Sequence, residues 1–466
     1  AALAQLRAGL AALHARRGQL GSLDLQTGTA ALGAELANCG LRLVLDHGSA
    51  WQVFAWLERS RAQSFRVRPV RPPADPEAAA VLAELRQLSF LIRTAELGGA
   101  PPDPAHLTRR AELQRQVRQR SWRAIGPGGA VAAAQAGAVA AALAESGQVL
   151  ASIAVRDGHM LAVTIAAGRV RLTALGDFGA AAEAARRLTA DLDALAGRRL
   201  PTRLEAVIRE SVRRQTSVLD AEIVAPLLPV LGQAGLVIVP VGALAGVPWG
   251  MLPGLRGRPV TVCPSASSWL AAWRAAAGFA SAAPAPASRP VLVAGPGLEH
   301  AVPEVTEIAA VYPGSRPLVA AAATVDATLR ALDGAPLAHL AAHGHHDREN
   351  VLFSRLDLAD GPLMAHDIQG LSVPPRQVVL SACDVGRTVV RPGEEILGFT
   401  AALLHIGTPT VISSVSRVAD DAALGIMTAY HRALSAGSRP AEALALAGIP
   451  ASAGEPLTPF VCFGTG

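Results

Sequence analysis

The sequence predicts an α/β fold, a parallel sheet with helices on both faces, preceded by an α-helical region. Three observations lead there. From about residue 145 onward, short β-branched apolar runs alternate with amphipathic helical segments, the pattern of a sheet wound by crossover connections. Two of those runs, around His339 to Gly344 and Gln377 to Cys383, stop abruptly at a polar residue beside a Gly-bearing turn. Buried parallel strands end in this way at the carboxyl edge of a sheet, where ligands and chemistry gather. Residues 1 to about 124, by contrast, read as helical.

In chain order, Leu3, Leu6, Leu10 and Leu13 recur at helix spacing, and Val53, Phe54 and Leu57 with Glu58 and Arg61 form a second amphipathic segment. Pro-rich stretches at 69–76 and 101–104 set off helices near 77–97 and 105–123. Gly126 to Gly137 reads as a Gly/Ala-rich hinge or loose helix start. Val149 to Val155 and His159 to Ile165 then alternate about Asp157-Gly158, which signals a hairpin. Helices near 178–196 and 202–233 precede a strand from Leu236 to Pro240. Ser281 to Pro290, rich in Ala and Pro, reads as a surface linker. A strand from Pro290 to Ala294 and helices from Pro303 to Tyr312 and Thr324 to Leu332 lead into His339.

Composition narrows the function classes. The 466 residues have length for two to four domains, and 51% apolar against 17% charged argues for globular packing. No uninterrupted apolar stretch approaches the roughly 18 residues of a membrane span, so the chain reads as soluble. The first residues, with Arg7, Arg16 and Arg17, lack the order of a signal peptide. All 42 basic residues are Arg, and the formal charge is +5. Arg is spread over the helices without interleaved aromatics, and its densest stretch, Arg109 to Arg123, also carries Glu112 and reads as a solvated helix face. Direct nucleic acid binding is therefore not expected. The four cysteines, Cys39, Cys263, Cys383 and Cys462, form no Cys-x-x-Cys pair. That pattern disfavours a disulfide framework and a structural zinc site, and fits a reducing cytoplasm.

Two strands ending at His343 and Cys383 can set an imidazole beside a thiol, the minimum equipment of a cysteine hydrolase. The surrounding residues are specific: His-Leu-Ala-Ala-His-Gly at 339–344 and Leu-Ser-Ala-Cys-Asp-Val-Gly at 380–386. They are flanked by Leu-Val-Ile-Val-Pro-Val-Gly-Ala-Leu-Ala-Gly-Val-Pro-Trp at 236–249, Cys-Pro-Ser at 263–265, Pro-Gly-Glu-Glu-Ile-Leu-Gly-Phe at 392–399, and a block from Gly407 to Asp420. In this order, over the last two thirds of the chain, these blocks resemble the signatures of the CHAT family, a branch of the caspase-, separase- and gingipain-like proteases. The resemblance implies a caspase-like parallel-sheet protease module, with a non-catalytic half at 145–285 and a catalytic half at 290–466, behind a helical region at 1–124. Trp56 to Ala62 resembles the segment that closes a tetratricopeptide array in such proteins, although no clean repeat of that length is visible here.

On this reading Cys383 is the nucleophile and His343 the general acid and base. The resemblance also implies an oxyanion hole made by the N–H groups of Gly344 and Cys383. His339, on the same strand face, reads as a supporting hydrogen-bond partner, and no third triad member is identifiable. Asp420 lies where separase-like relatives place an acid near the first substrate pocket, which would favour a basic residue before the cut. Its alternative is a helix cap, since Asp420 and Asp421 begin a helix over 422–434. Asp384, Glu394 and Glu395 are further candidate acids, and Ser416 stands where relatives often carry Trp.

The expected function is a bacterial, cytoplasmic cysteine endopeptidase without a cofactor, cleaving a partner protein after a basic residue, with the N-terminal helices as a docking place for an activating protein or ligand. The resemblance suggests defence or regulated cell death. Two rivals stand beside it. One is a catalytically silent scaffold, against which the presence of both His343 and Cys383 argues. The other is a metal-dependent hydrolase built on His343, His345 and Asp347, whose spacing breaks at Arg348. The polar segments Arg387 to Glu395 and His345 to Asn350 are expected to order when a substrate or partner binds.

Overall fold

The computed structural model describes residues 1–29, 31–67, 76–123, 131–197, 200–281, 289–347, 351–382, 389–391, 395–449 and 459–466. Helices α1 (Ala2–Arg17), α2 (Leu23–Gly28), α3 (Ala31–His47), α4 (Ala50–Ser60), α5 (Pro76–Leu97) and α6 (Pro104–Arg123) build the N-terminal region. Gly40 is required here, because a Cβ at this position would lie 1.8 Å from the Trp56 ring, which closes α4 over α3. The Trp56–Ala62 segment then ties these helices to the sheet. Fully buried Glu58 accepts hydrogen bonds from the backbone N–H groups of Ala266 (3.0 Å) and Ser267 (2.7 Å) and from the Ser267 hydroxyl (2.6 Å). A carboxylate at the N-terminus of helix α11 (Ala266–Ser281, numbered along the chain below) satisfies its otherwise orphaned donors. Arg61 donates to Ser152 Oγ (3.3 Å) and to the Ile153 carbonyl (2.8 Å).

Helix α7 (Ala136–Ser146) opens the α/β part, followed by β1 (Gln148–Arg156), β2 (His159–Ala166) and β3 (Arg169–Asp177). The hairpin about Asp157-Gly158 forms as expected. A second tight turn at Ala167-Gly168, both with positive φ, adds a third strand that the sequence reading did not include. β3 is a partly exposed edge strand, and its Arg-Val-Arg-Leu-Thr-Ala run at 169–174 carries a polar/apolar alternation, a strand signal that the reading above passes over. Helices α8 (Phe178–Leu195) and α9 (Thr202–Leu219) follow. The helix expected to run to 233 instead stops at Leu219, widens into a π turn at Asp220–Val224, and resumes only as the short α10 (Leu228–Leu231). Pro226 and Pro229 cannot donate to a continuing helix, and the Asp220 carboxylate accepts from the Gly254 N–H at 2.7 Å.

The remaining elements are β4 (Gly235–Val239), β5 (Val260–Val262), α11, β6 (Val291–Ala294), α12 (Ala301–Val311), α13 (Val325–Leu332), β7 (Ala338–Ala341), β8 (Gly344–His345), β9 (Arg355–Leu358), β10 (Gly361–Met364), α14 (Ala365–Ile368), β11 (Gln377–Ser381), β12 (Val389–Arg391), β13 (Glu395–Leu397), α15 (Phe399–Ile406), β14 (Thr410–Ser414), α16 (Asp420–Ser435), α17 (Pro440–Ala447) and β15 (Phe460–Gly464). Ten strands form one sheet in the order β3-β2-β1-β4-β5-β15-β14-β11-β7-β6. Pairing is parallel except along β1-β2-β3 and between β14 and β15. The C-terminal strand β15 pairs with both β5 and β14, so one continuous sheet joins the regions on either side of residue 285. Alternate residues of the central strands feed two cores. Ala338, Leu340, Val378 and Leu380 face one. Ala341, Val379 and Ile412 face the other, against α12, α16 and α17. No helix among the described residues is long and apolar enough to cross a membrane.

Candidate active site

β7 and β11 are adjacent and parallel, as the two apolar runs predict, with Ala338 opposite Val378 and Ala341 opposite Ser381. β7 stops two residues before His343, and β11 is described as far as Ser381. β7 ends at Ala341, where the N–H of Gly295 takes the Ala341 carbonyl (2.8 Å), and the Ala342 N–H bends to the Ser381 carbonyl (3.3 Å). His343 therefore sits on the turn after the strand, half-buried, not in the strand itself. Cys383 and Asp384 lie outside the described residues, as do Glu394 and the side chain of Glu395.

Three backbone features shape the surroundings of His343. Gly295 follows β6 and admits no side chain, since a Cβ there would be 2.4 Å from the Asp357 carbonyl and 2.7 Å from Ala342 Cβ. Gly297, at φ +81°, turns its carbonyl to within 3.0 Å of His343 Nε2. A carbonyl only accepts, so the hydrogen bond fixes the proton on Nε2 and leaves Nδ1 of the neutral ring as the basic nitrogen. On the far side, the N–H of Asp357 donates to the His343 carbonyl at 2.9 Å. Antiparallel ladders alternate bonded and unbonded pairs. Since 343 and 357 are bonded, Gly344 opposite Leu356 forms the unbonded pair, and its N–H is turned away from β9.

Asp420 is the first residue of α16, but its carboxylate does not cap that helix; Ala419 occupies the cap position, without a side-chain bond. The alternative helix-cap role is thus not observed for Asp420, while Asp421 Oδ1 accepts from the Ala422 N–H at 2.8 Å. Asp420 Oδ2 instead accepts from the backbone N–H of His300 at 2.9 Å and steadies the turn between Gly297 and α12. Ser416 is buried, with its hydroxyl 3.5 Å from the Arg417 carbonyl.

His339 lies on the same strand face as Ala341, and its hydrogen-bond partners come from two helices. Its Nε2 meets Glu304 Oε1 at 2.8 Å and its Nδ1 meets His431 Nε2 at 3.0 Å, all three side chains being buried. His431 Nδ1 in turn meets the Tyr312 hydroxyl at 3.1 Å. Burial, with a contribution from His339, holds His431 well below its ordinary pKa. His345 Nε2 faces Asp357 Oδ2 at 3.4 Å. No group of three or more His, Cys, Asp or Glu among the described residues is placed to hold a metal ion.

The residues that the motifs did not reveal are Gly297, His300 and Asp357. Gly295-Pro-Gly297, directly after an expected strand, was the available signal for the first.

Among curated proteins no sequence matches the chain. By structure, it is similar to separase in a crystal structure of the Saccharomyces cerevisiae separase–securin complex at 3.0 Å, with a TM-score of 0.56 and 9% identity, covering 95% of this chain and 37% of that one. A second structure of that complex, at 2.6 Å, gives a TM-score of 0.54 and 10% identity, again covering 37% of that chain and here 99% of this one. The chain therefore spans little more than a third of the relatives it resembles, and the likeness is one of fold. The model of the CHAT domain matches residues 209–455, more than half of the sequence. The chain belongs to the CHAT-domain family.

Proposed function

We propose that the protein is a cysteine endopeptidase in which Cys383 is the nucleophile and His343 the general acid and base. The observation that carries this reading is the register of β7 and β11: Ala341 stands opposite Ser381, and His343 and Cys383 are each the second residue beyond that pair. Equal overhangs from neighbouring parallel strands suit an imidazole acting on a thiol. In the proposed sequence, Nδ1 of His343 takes the thiol proton and the thiolate sulfur bonds to the substrate carbonyl carbon. The oxyanion is met by the N–H groups of Gly344 and Cys383. The Nδ1 proton then passes to the leaving amine as the C–N bond breaks, and water cleaves the thioester. The Gly297 carbonyl orients the ring in place of a side-chain triad member.

Asp420 and Asp384 are proposed to favour a basic residue before the cut. In this reading Asp420 has two duties, because its Oδ2 already holds the His300 N–H. The similar separase structures contain securin, a bound partner, and an activating protein or ligand docking on the N-terminal helices is proposed here in the same spirit. A role in bacterial defence or regulated cell death, in the cytoplasm, completes the proposal. The silent scaffold remains its competitor, and the intact His343 and Cys383 favour the enzyme.

Profiling a peptide library with wild type and Cys383→Ala tests both. Cleavage after Arg, lost in Cys383→Ala and sensitive to a thiol alkylator but not to a chelator, is the expected result. Cleavage that survives Cys383→Ala would overturn the assignment of the nucleophile.

A further inference from the structure

The β8–β10 sheet carries the turn of His343 into the body of the protein, and its two faces have different partners. Leu356, Leu358 and Leu363 enter the main core. Arg355, Asp357 and Met364, at the alternate positions, face the α5–α6 hairpin. Met364 and Phe353 pack with Leu85, Leu113 and Val117 of that hairpin in a separate apolar cluster. Two ion pairs flank the cluster: Arg86 with Asp367 at 2.5 Å, and Arg93 Nε with Asp357 Oδ2 at 3.3 Å. Arg86 and Arg93 are seven residues apart, two turns and about 10 Å along one helix face, so a single helix reaches both carboxylates. The backbone of Arg86 also lies over Gly361, which has φ +138° and would set a Cβ 3.3 Å from the Arg86 carbonyl oxygen.

Asp357 is the point where this docking meets the site. Its N–H holds the His343 carbonyl, and its carboxylate, 12% exposed, is surrounded by Arg93, Arg355 Nε (3.6 Å) and His345 Nε2 (3.4 Å). Burial pushes this carboxyl up, yet His345, Arg355 and Arg93, in that order, together hold it below its ordinary value. Such a group has few geometries open to it while Arg93 is in place. Without Arg93 it is an under-compensated charge one bond sequence away from the amide that fixes His343.

We propose that Asp357 is a positioning residue for His343 and that Arg93 completes its anchorage, so that docking of the α5–α6 hairpin sets the rate of peptide cleavage. The proposal rests on the reading of His343 as acid and base, and assigns the control of that site to α5 and α6 among the N-terminal helices. A partner that lifts this hairpin from the β8–β10 sheet slows the enzyme, and one that presses it home speeds it.

The test compares Arg93→Ala, Arg93→Lys and Arg86→Ala in the full chain, with a peptide substrate from the library above. Arg93→Ala should lower kcat about tenfold with KM within about twofold, because a small misplacement of a reacting group acts on the chemical step. Arg93→Lys should restore most of that rate, and Arg86→Ala, which leaves Asp357 anchored, should lose little. Equal losses in Arg86→Ala and Arg93→Ala that follow their melting temperatures would overturn the proposal, as would an unchanged kcat in Arg93→Ala. Hydrogen exchange over residues 342–347 reads the anchorage without any substrate. Faster exchange in Arg93→Ala is expected, and unchanged exchange overturns the coupling even if wild type cleaves no peptide, a result that would count against the protease reading alone.

Discussion

His339 and His343 come from one motif, four residues apart, and meet opposite fates. His339 is fully buried with both ring nitrogens engaged, by Glu304 and His431. His343 is half-buried, with Nε2 held by a backbone carbonyl and Nδ1 without a hydrogen bond among the described residues. The strand makes the difference. Its pleat points 339 and 341 into the α12/α16 core, and its end at Ala341 lets the chain turn His343 out to the sheet edge. A histidine with both nitrogens satisfied inside a core fixes a strand. One with a spare nitrogen at the edge can move a proton.

The largest effect that would sharpen this contrast is on activity. His343→Ala should reduce cleavage by on the order of a thousandfold or more while leaving the melting temperature nearly unchanged, since general acid and base assistance is lost from a half-buried turn outside the strand. The reverse outcome, full activity with a large drop in stability, would break the comparison.

His339→Leu should behave in the opposite sense. It leaves Glu304 and His431 buried without their shared partner, at a cost of about 3 kcal/mol. A lower urea midpoint with unchanged slope is the expected readout, with the surviving folded protein still cleaving substrate. Unchanged stability together with abolished cleavage would show that His339 belongs to the chemistry.

The same contrast shows what was legible in the sequence. Parallel strands delivering the two motifs to one edge follow from abrupt stops in apolar runs, and β7 and β11 are neighbours accordingly. Periodicity cannot tell which histidine of a single strand is locked, because Glu304 and His431 reach it from helices 35 residues before and 92 residues after it. The Gly297 carbonyl is a backbone group and has no residue type to announce it. Asp357 sits in a four-residue strand, Arg-Leu-Asp-Leu, whose alternation is real but too short to distinguish from loop. The break of the long helix after Leu219 has a local signal in Pro226 and Pro229, which cannot donate to a continuing helix.

A smaller effect concerns pH. Burial holds His431 well below its ordinary pKa and pushes His405 to about 4 from 6.5. The unfolded chain takes up these protons near pH 6.5 and the folded protein refuses them, so below that value the unfolded state binds more protons. Stability is full above pH 6.5 and falls as pH drops, each histidine contributing a slope of up to about 1.4 kcal/mol per pH unit. Urea titrations between pH 6.5 and about 5 should show this decline, and His405→Phe should make it shallower. A flat profile would mean that these buried rings are not held neutral.

The smallest effect lies at the far end of the buried chain. Burial raises the Tyr312 hydroxyl to about 12, so it stays protonated in any ordinary buffer and serves only as a hydrogen-bonding group. It lies 3.1 Å from His431 Nδ1 and 3.3 Å from the His431 carbonyl, and a neutral hydroxyl has one proton to give to one of them. Tyr312→Phe keeps the ring against His431, where the two stand edge to face with centroids 5.6 Å apart. Only the hydroxyl contacts are lost, at about 1 kcal/mol. If the chain Tyr312–His431–His339–Glu304 serves to hold β7, this variant loses that much stability and cleaves at the wild-type rate. If it instead relays changes to His343, removing the terminal hydroxyl must alter kcat by more than its small stability loss explains, and a several-fold change in kcat at unchanged KM would move His339 from the structural side of the comparison to the functional one.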